Sequence, residues 1–187
     1  MPVVNITLLP GYGHDCETRL VQRVALATRS VIAAQPAGTT VFVQHATTYL
    51  RDNRVFSGGG PEQPDASALV RRFLQAMQAR DLTAARTQLA PDFSMHFPGS
   101  ETLTDLDQLM AWAKDRYTRV AKTYERFEES WGDGVTSVYC SGMLHGVWLD
   151  GSEFEGVRFI DRFEVEAGLI RRQDVWNDLA EVRPRAR

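Results

Sequence analysis

The chain has 187 residues, 43% of them hydrophobic and 24% charged, with a net charge of −3. That composition supports packed cores and excludes a disordered chain. It also excludes a nucleic-acid partner, since the basic pairs Arg71–Arg72 and Arg171–Arg172 are too short to track phosphates, and with no run of 18 uninterrupted apolar residues and no basic-then-apolar start it excludes a membrane partner and points to the cytoplasm.

The stretch MPVVNITLLPGYGHD opens on an alternating apolar strand over Val3–Leu9, ended by Pro10-Gly11. Pro2 leads into it although proline cannot donate to a sheet ladder. From Asp15 a helical period places Leu20, Val21, Val24, Ala25, Thr28, Val31 and Ile32 on one stripe, with Asp15 as the expected cap and Glu17 in the first turn. Pro36-Ala37-Gly38 stops the helix, and Thr39–Ala46 is a second strand. A crossover helix of this length makes the two strands parallel. So small a β-α-β unit cannot bury both faces of its sheet, so oligomerisation is expected.

The composition then breaks at FSGGGPEQPDAS (Phe56–Ser67). This predicts a first domain over residues 1–57, a Gly/Pro linker over 58–67 and a second domain over 68–187. The second begins with an apolar helix face (Leu69, Val70, Phe73, Leu74, Met77), a shorter helix over Leu82–Leu89 and a short strand in Pro91–Gly99. A helix over about Asp105–Arg119 follows. Strands are expected over Tyr124–Trp131, Val135–Leu149, Glu153–Val165 and Leu169–Asn177, with turns at Gly132-Asp133-Gly134, Asp150-Gly151 and Ala167-Gly168. Helices first and an antiparallel meander after them define an α+β class. Cys16 and Cys140 match no metal or redox spacing and read as reduced thiols, and no cofactor or metal is called for.

The proline after Met1, the β-α-β length and VFSGGG (Val55–Gly60) together resemble the 4-oxalocrotonate tautomerase family over about the first 60 residues. The resemblance implies a Pro2 exposed as an N-terminal amine once Met1 is removed, and a trimer-of-dimers assembly. Phe56 stands where an apolar pocket residue is usual. A free α-amino group titrates near 7.7–8.0, and an apolar pocket lowers it, which suits a proton shuttle or an iminium former. The family's best-known members hold a dicarboxylate with arginines, whose positions here are Tyr12 and Val41. Arg19, Arg51, Arg54 and His45 are the candidates to replace them, and a smaller or less charged carbonyl substrate is expected.

The segment from about Asp65 to Glu181 is similar to the nuclear transport factor 2-like superfamily. DFSMHFPGSE and FIDRFEVEAGLIRRQDVWND look most like its SnoaL-like and ketosteroid isomerase-like branches. These imply a cone whose mouth is a pocket lined by the curved sheet and the first helix, with dimerisation across the sheet. Asp161 stands among Val157, Phe159, Phe163 and Val165, where a carboxylate is costly unless paired or protonated and where it can act as acid, base or oxyanion donor. Equally, it can be held by a Tyr, Trp or Arg for structure. It also falls where the isomerase pattern has its oxyanion-binding acid.

His96 lies near that pattern's general base, on the face of its strand away from Phe93, Met95 and Phe97. The plainer reading is an edge-strand histidine bonded to water or backbone. Phe73 replaces the pattern's tyrosine. His145, Asp174 and Trp176 complete the candidate substrate contacts, while Arg158, Arg162 and Arg172 read as solvated or interface charges. Trp112, Trp131 and Trp148 read as packing.

Two functions are therefore expected. One is a tautomerase- or isomerase-like enzyme with Pro2, Asp161 and His96 catalytic and Tyr12, His45, Phe56, Phe73, His145, Asp174 and Trp176 binding a small organic substrate. The other is a non-catalytic small-molecule-binding protein whose N-terminal unit makes a homo-oligomer, a hexamer or a dimer.

Overall fold

The computed structural model describes residues 1–58, 60, 62–132 and 134–182; Gly59, Pro61 and Asp133 of the expected hairpin, linker and turn, and residues 183–187, lie outside them. The chain divides into two compact units, Met1–Glu62 and Gln63–Arg187.

In the first unit, β1 (Val3–Leu8) and β2 (Thr40–His45) pair in parallel from Val3↔Thr40 to Leu8↔His45. The helix α1 (His14–Val31) connects them. It starts before Asp15, and its N-cap is Gly13, whose N–H donates to the Glu62 carboxylate at 2.5 Å, so Asp15 sits in the first turn and caps nothing. A short hairpin follows, β3 (Tyr49–Arg51) and β4 (Arg54–Phe56). Its turn residues Asp52 and Asn53 both have positive φ, 50° and 58°, the conformation of a two-residue turn that matches strand twist. Along β1, Val4, Ile6 and Leu8 are half-buried while Val3, Asn5 and Thr7 are exposed. No described residue of this unit is fully buried within the chain. Val3, Phe42, Leu50 and Val55 remain mostly exposed.

The second unit carries the core. Helix α2 (Ala66–Gln78) is capped by Asp65, whose carboxylate accepts from Ala68 N–H at 2.9 Å. It starts inside the expected linker because Asp65 supplies that cap. The short α3 (Leu82–Arg86) ends three residues before the expected Leu89, which opens β5 (Leu89–His96). Helix α4 (Leu106–Lys114) is likewise shorter than expected. Tyr117 already belongs to β6 (Tyr117–Trp131), paired with Trp148. The aromatic and β-branched residues Tyr117, Thr118 and Val120 favour the strand there.

β7 (Val135–Trp148), β8 (Glu153–Glu166) and β9 (Leu169–Asn177) complete a sheet of order β5-β9-β8-β7-β6. All its pairs are antiparallel except β5 with β9. A last turn of helix, α5, spans Leu179–Val182. Strict alternation on β7 and β8 sends Val138, Cys140, Leu144, Val157, Phe159 and Phe163 inward against Phe73 and Leu106.

β6 and β7 slip register between Tyr117 and Arg119 and again between Tyr124 and Arg126. These irregularities bend the strand pair and draw backbone onto Gly142, where an added Cβ would stand almost on the Thr123 carbonyl oxygen. Replacing Gly142 by Ala should therefore cost about 3 kcal/mol of stability. Urea unfolding with an unchanged midpoint would show that the sheet has room there.

Candidate functional site

Between α2, α4 and the inner face of the five-stranded sheet lies a cavity of about 160 Å³. Its walls are mainly aromatic and aliphatic, Phe73, Met77, Phe97, Trp112 and Phe159 among them. Phe97 and Trp112 pack with ring centres 5.2 Å apart. Tyr124 meets Phe159 edge-on at 5.8 Å.

Polar groups enter this cavity at few points. Lys122 of β6 reaches across β7 to form an ion pair with Asp161 of β8. The reach is diagonal, since Lys122 is in register with Leu144 and Asp161 with Cys140, and Gly142 lies between those two positions of β7. The ammonium lies 4.5 Å from the centre of the Phe159 ring. Asp161 is wholly buried and is not part of the cavity lining; Lys122, about one-fifth exposed, and Gln173 stand in front of it. Gln173 donates to Asp161 Oδ2 at 3.3 Å, and Oδ1 has no partner. Burial, and then Cys140 and Asp161, raise the Tyr124 phenol well above its usual range; burial also raises Tyr117. Both lining tyrosines are thus neutral hydrogen-bond groups near neutral pH.

The expected partnership of Asp161 with His96 is not formed. His96 lies on the opposite face of the sheet, where its parallel register partner is Asp174. Its Nδ1 is 3.2 Å from Asp174 Oδ1, off hydrogen-bond alignment, and its Nε2 is 2.8 Å from Thr102 Oγ1. Asp174 also accepts from Arg172 Nε, at 3.0 and 2.9 Å, and from Arg162 Nη1 at 3.2 Å. Both arginines pair with this buried carboxylate, and Arg172 is at the same time exposed to solvent. Arg158 pairs with Asp178 at 2.6 Å.

Of the expected contacts, Phe73 lines the cavity. Asp174 does not, nor does Trp176, which is exposed beside its register partner Ile160. His145 is half-buried and also outside the lining.

In the first unit, Pro2 stands at the start of β1, its carbonyl accepting from Thr40 N–H at 3.1 Å. His45 closes the other end of the sheet with Glu17, 2.7 Å from its Nε2. Tyr12, beyond the same end, accepts from Gly60 N–H at 2.9 Å. Five strand steps separate the two ends, roughly 17 Å, so one chain does not gather Pro2, Tyr12 and His45. Phe56 stacks on Tyr49 with ring centres 5.3 Å apart.

Sequence reasoning passed over Lys122, Tyr117, Tyr124 and Gln173. Two signals pointed to the lysine. The chain has only two lysines, Lys114 and Lys122. Alternation also puts Lys122 on the face of Val120 and Tyr124.

Among the described residues, no cluster of three or more His, Cys, Asp or Glu could hold a metal, and no helix is long and apolar enough to cross a membrane.

A curved antiparallel sheet closed by helices over an apolar pocket is the architecture of the NTF2-like proteins. The chain belongs to the SnoaL-like domain family, whose model matches residues 70–173. Solved structures share this fold. An NTF2-like protein of unknown function from Burkholderia pseudomallei has a TM-score of 0.55 at 19% identity, over 64% of this chain and 95% of the other. TerC co-crystallised with polyporic acid has a TM-score of 0.55 at 15% identity, over 62% and 92%. A proposed polyketide cyclase from Xanthomonas campestris pv. campestris has a TM-score of 0.51 at 19% identity, over 62% and 92%. Comparison with curated proteins gives no match.

Two outcomes follow from the burial pattern. Lys122→Met leaves the Asp161 carboxylate buried and unpaired and should cost about 3–5 kcal/mol, most of which Lys122→Met with Asp161→Leu recovers. Denaturant melts of the single and double variants check this; equal losses would show that the pair is not coupled. Burial, followed by the neighbouring Asp161, pushes the Cys140 thiol from 9.0 up to about 12. Above pH 9 the unfolded thiol ionises while the folded one stays neutral. Stability should therefore fall as pH rises from about 9 to about 12. Cys140→Ala should flatten that decline, measured by unfolding at a series of alkaline pH values.

Proposed function

We propose that the SnoaL-like unit binds a small, largely apolar organic carbonyl compound and promotes proton transfer beside the carbonyl, an isomerase- or cyclase-type reaction. The observation that carries this reading is the Lys122–Asp161 pair at the wall of a mainly apolar cavity. An ammonium held there by a buried counter-charge is pre-aimed at an oxygen on which negative charge develops. It costs no reorganisation when that charge appears, and the apolar walls strengthen the attraction. Lys122 donates to the carbonyl oxygen as an enolate forms, and the α-proton leaves to water at the cavity's open side. Asp161 positions Lys122, and the neutral Tyr117 and Tyr124 phenols can add donors. The co-crystallisation of TerC with polyporic acid and the relationship to a proposed polyketide cyclase support looking first among small organic molecules.

The reading as a ligand-binding protein without catalysis is favoured by one observation: among the described residues no histidine or carboxylate lines the cavity to act as base.

For the first unit the reading is a tautomerase-like β-α-β module in which Pro2, freed by removal of Met1, acts as an amine base. Its support is the in-register parallel pair and a Met1 that is 94% exposed, open to an aminopeptidase. The mostly exposed Val3, Phe42, Leu50 and Val55 support assembly of this unit as a hexamer or dimer.

Keto- and enol-acid turnover separates these readings. Lys122→Met with Asp161→Leu should lower the rate about 100-fold if the cavity is the catalyst. Pro2→Ala should lower it if the amine is, provided intact mass shows Met1 absent. Rates unchanged in both variants would refute both catalytic readings and leave ligand binding. Light scattering that gives a monomer at micromolar concentration would refute the assembly.

A further inference from the structure

Two cations and no anion line the cavity. Lys122 stands on its inner wall, and Arg80 is exposed at the end of α2, so it stands where the cavity meets solvent. Among the described residues no aspartate or glutamate lines it, although the chain has 24 acidic residues against 21 basic ones. Asp161 neutralises Lys122 only from behind. An ammonium has three N–H donors, and Lys122 gives one to Asp161, leaving two for a ligand. Arg80 touches Met110 Sδ at 3.3 Å and, among the described residues, pairs with no carboxylate. A site with unspent donors on cations, apolar walls and no competing anion discriminates by charge as well as by shape.

Resting on the pocket reading above, we infer that the ligand of this cavity is an organic anion: a flat apolar body bearing a carboxylate or an ionised enol, its charged oxygen on Lys122, with Arg80 drawing it in. On an ionised enol that oxygen becomes the carbonyl when the α-carbon takes up a proton from water, the reverse of the enolate-forming step; a carboxylate is held there by charge alone. Arg80, being exposed, acts at longer range and is screened by salt, whereas Lys122 acts at contact inside a poorly screened cavity.

Calorimetric titration of the full-length protein at low salt and near-neutral pH with 2-naphthoate and with the neutral 2-naphthalenemethanol tests this. The carboxylate should bind about tenfold or more tighter than the alcohol, since a hydrogen bond to a charged group carries that much discrimination. Lys122→Met with Asp161→Leu, which removes both charges without leaving one buried alone, should abolish most of the preference. Arg80→Ala, an exposed change safe for folding, should weaken it and reduce its salt dependence. Equal or tighter binding of the alcohol overturns the inference while leaving the pocket reading intact. Binding of neither probe overturns both. An undiminished preference in the Lys122 and Arg80 variants overturns the assignment to these cations.

Discussion

A carboxylate with no exposure to water sits in the middle of a curved sheet, and much of the second unit can be understood as the means of giving it a cation. Asp161 is flanked in register by Cys140 and Val175, neither of which can neutralise it. The nearest solution is two strands away, on β6. Lys122 reaches it diagonally across β7, where β6 and β7 are bent by two register slips and Gly142 lies against the Thr123 backbone. The same bend gives the sheet the concavity that α2 and α4 close into a cavity. Packing alone does not explain keeping such a pair, because well-packed apolar residues in its place are often as stable or more so. What the pair adds is a fixed positive group at the wall of a mainly apolar cavity.

The opposite face of the same strands holds its buried carboxylate differently. Asp174 is met by Arg162, Arg172 and His96 together, and Arg162 also reaches Glu164 at 2.5 Å. Guanidinium forks suit that task, since each can bridge two acceptors in one plane. On the inner face a fork laid along Asp161 would direct its donors at the carboxylate. A lysine is a compact point charge whose remaining donors stay free to face the cavity. In a chain that is basic almost entirely through arginine, the lysine at 122 is therefore the chemically informative choice.

Much of this was legible in the sequence, and the failures have identifiable causes. Alternation on Glu153–Val165 set Asp161 among apolar neighbours and so marked it as buried, which it is. The α+β order and the meander followed from turn residues and period, and the resemblance implied the curvature. Lys122 was missed because Leu106, Leu109, Met110, Ala113 and Tyr117 fit a helical spacing that the chain abandons after Lys114, so the strand holding Lys122 was read as beginning two residues beyond it. His96 was set beside Asp161 because the isomerase pattern has its general base about there, and periodicity, which shows the faces of one strand, does not show which strands are neighbours. The parallel pairing of β5 with β9 joins residues about 80 positions apart, and it put His96 on Asp174 instead.

The first unit poses the converse problem, a regular pattern that leaves apolar side chains exposed. A helix over two parallel strands covers one face, leaving Val3 and Phe42 on the other beside the Asn5–Gln44 side-chain bond. The register that makes the unit orderly also separates its polar features. His45 with Glu17, and Tyr12 with Gly60, hold one end of the sheet, while Pro2 occupies the other beside Thr40 and the turn Pro36–Gly38. That second end carries no charged side chain among those residues. On the proposed reading, an amine freed at Pro2 would work beside Thr40 and that turn, in weakly polar immediate surroundings. Tyr12 and Val41, standing where arginines are expected, lead to the same place. If Pro2 acts as a base, it does so on a small carbonyl compound that carries little charge of its own.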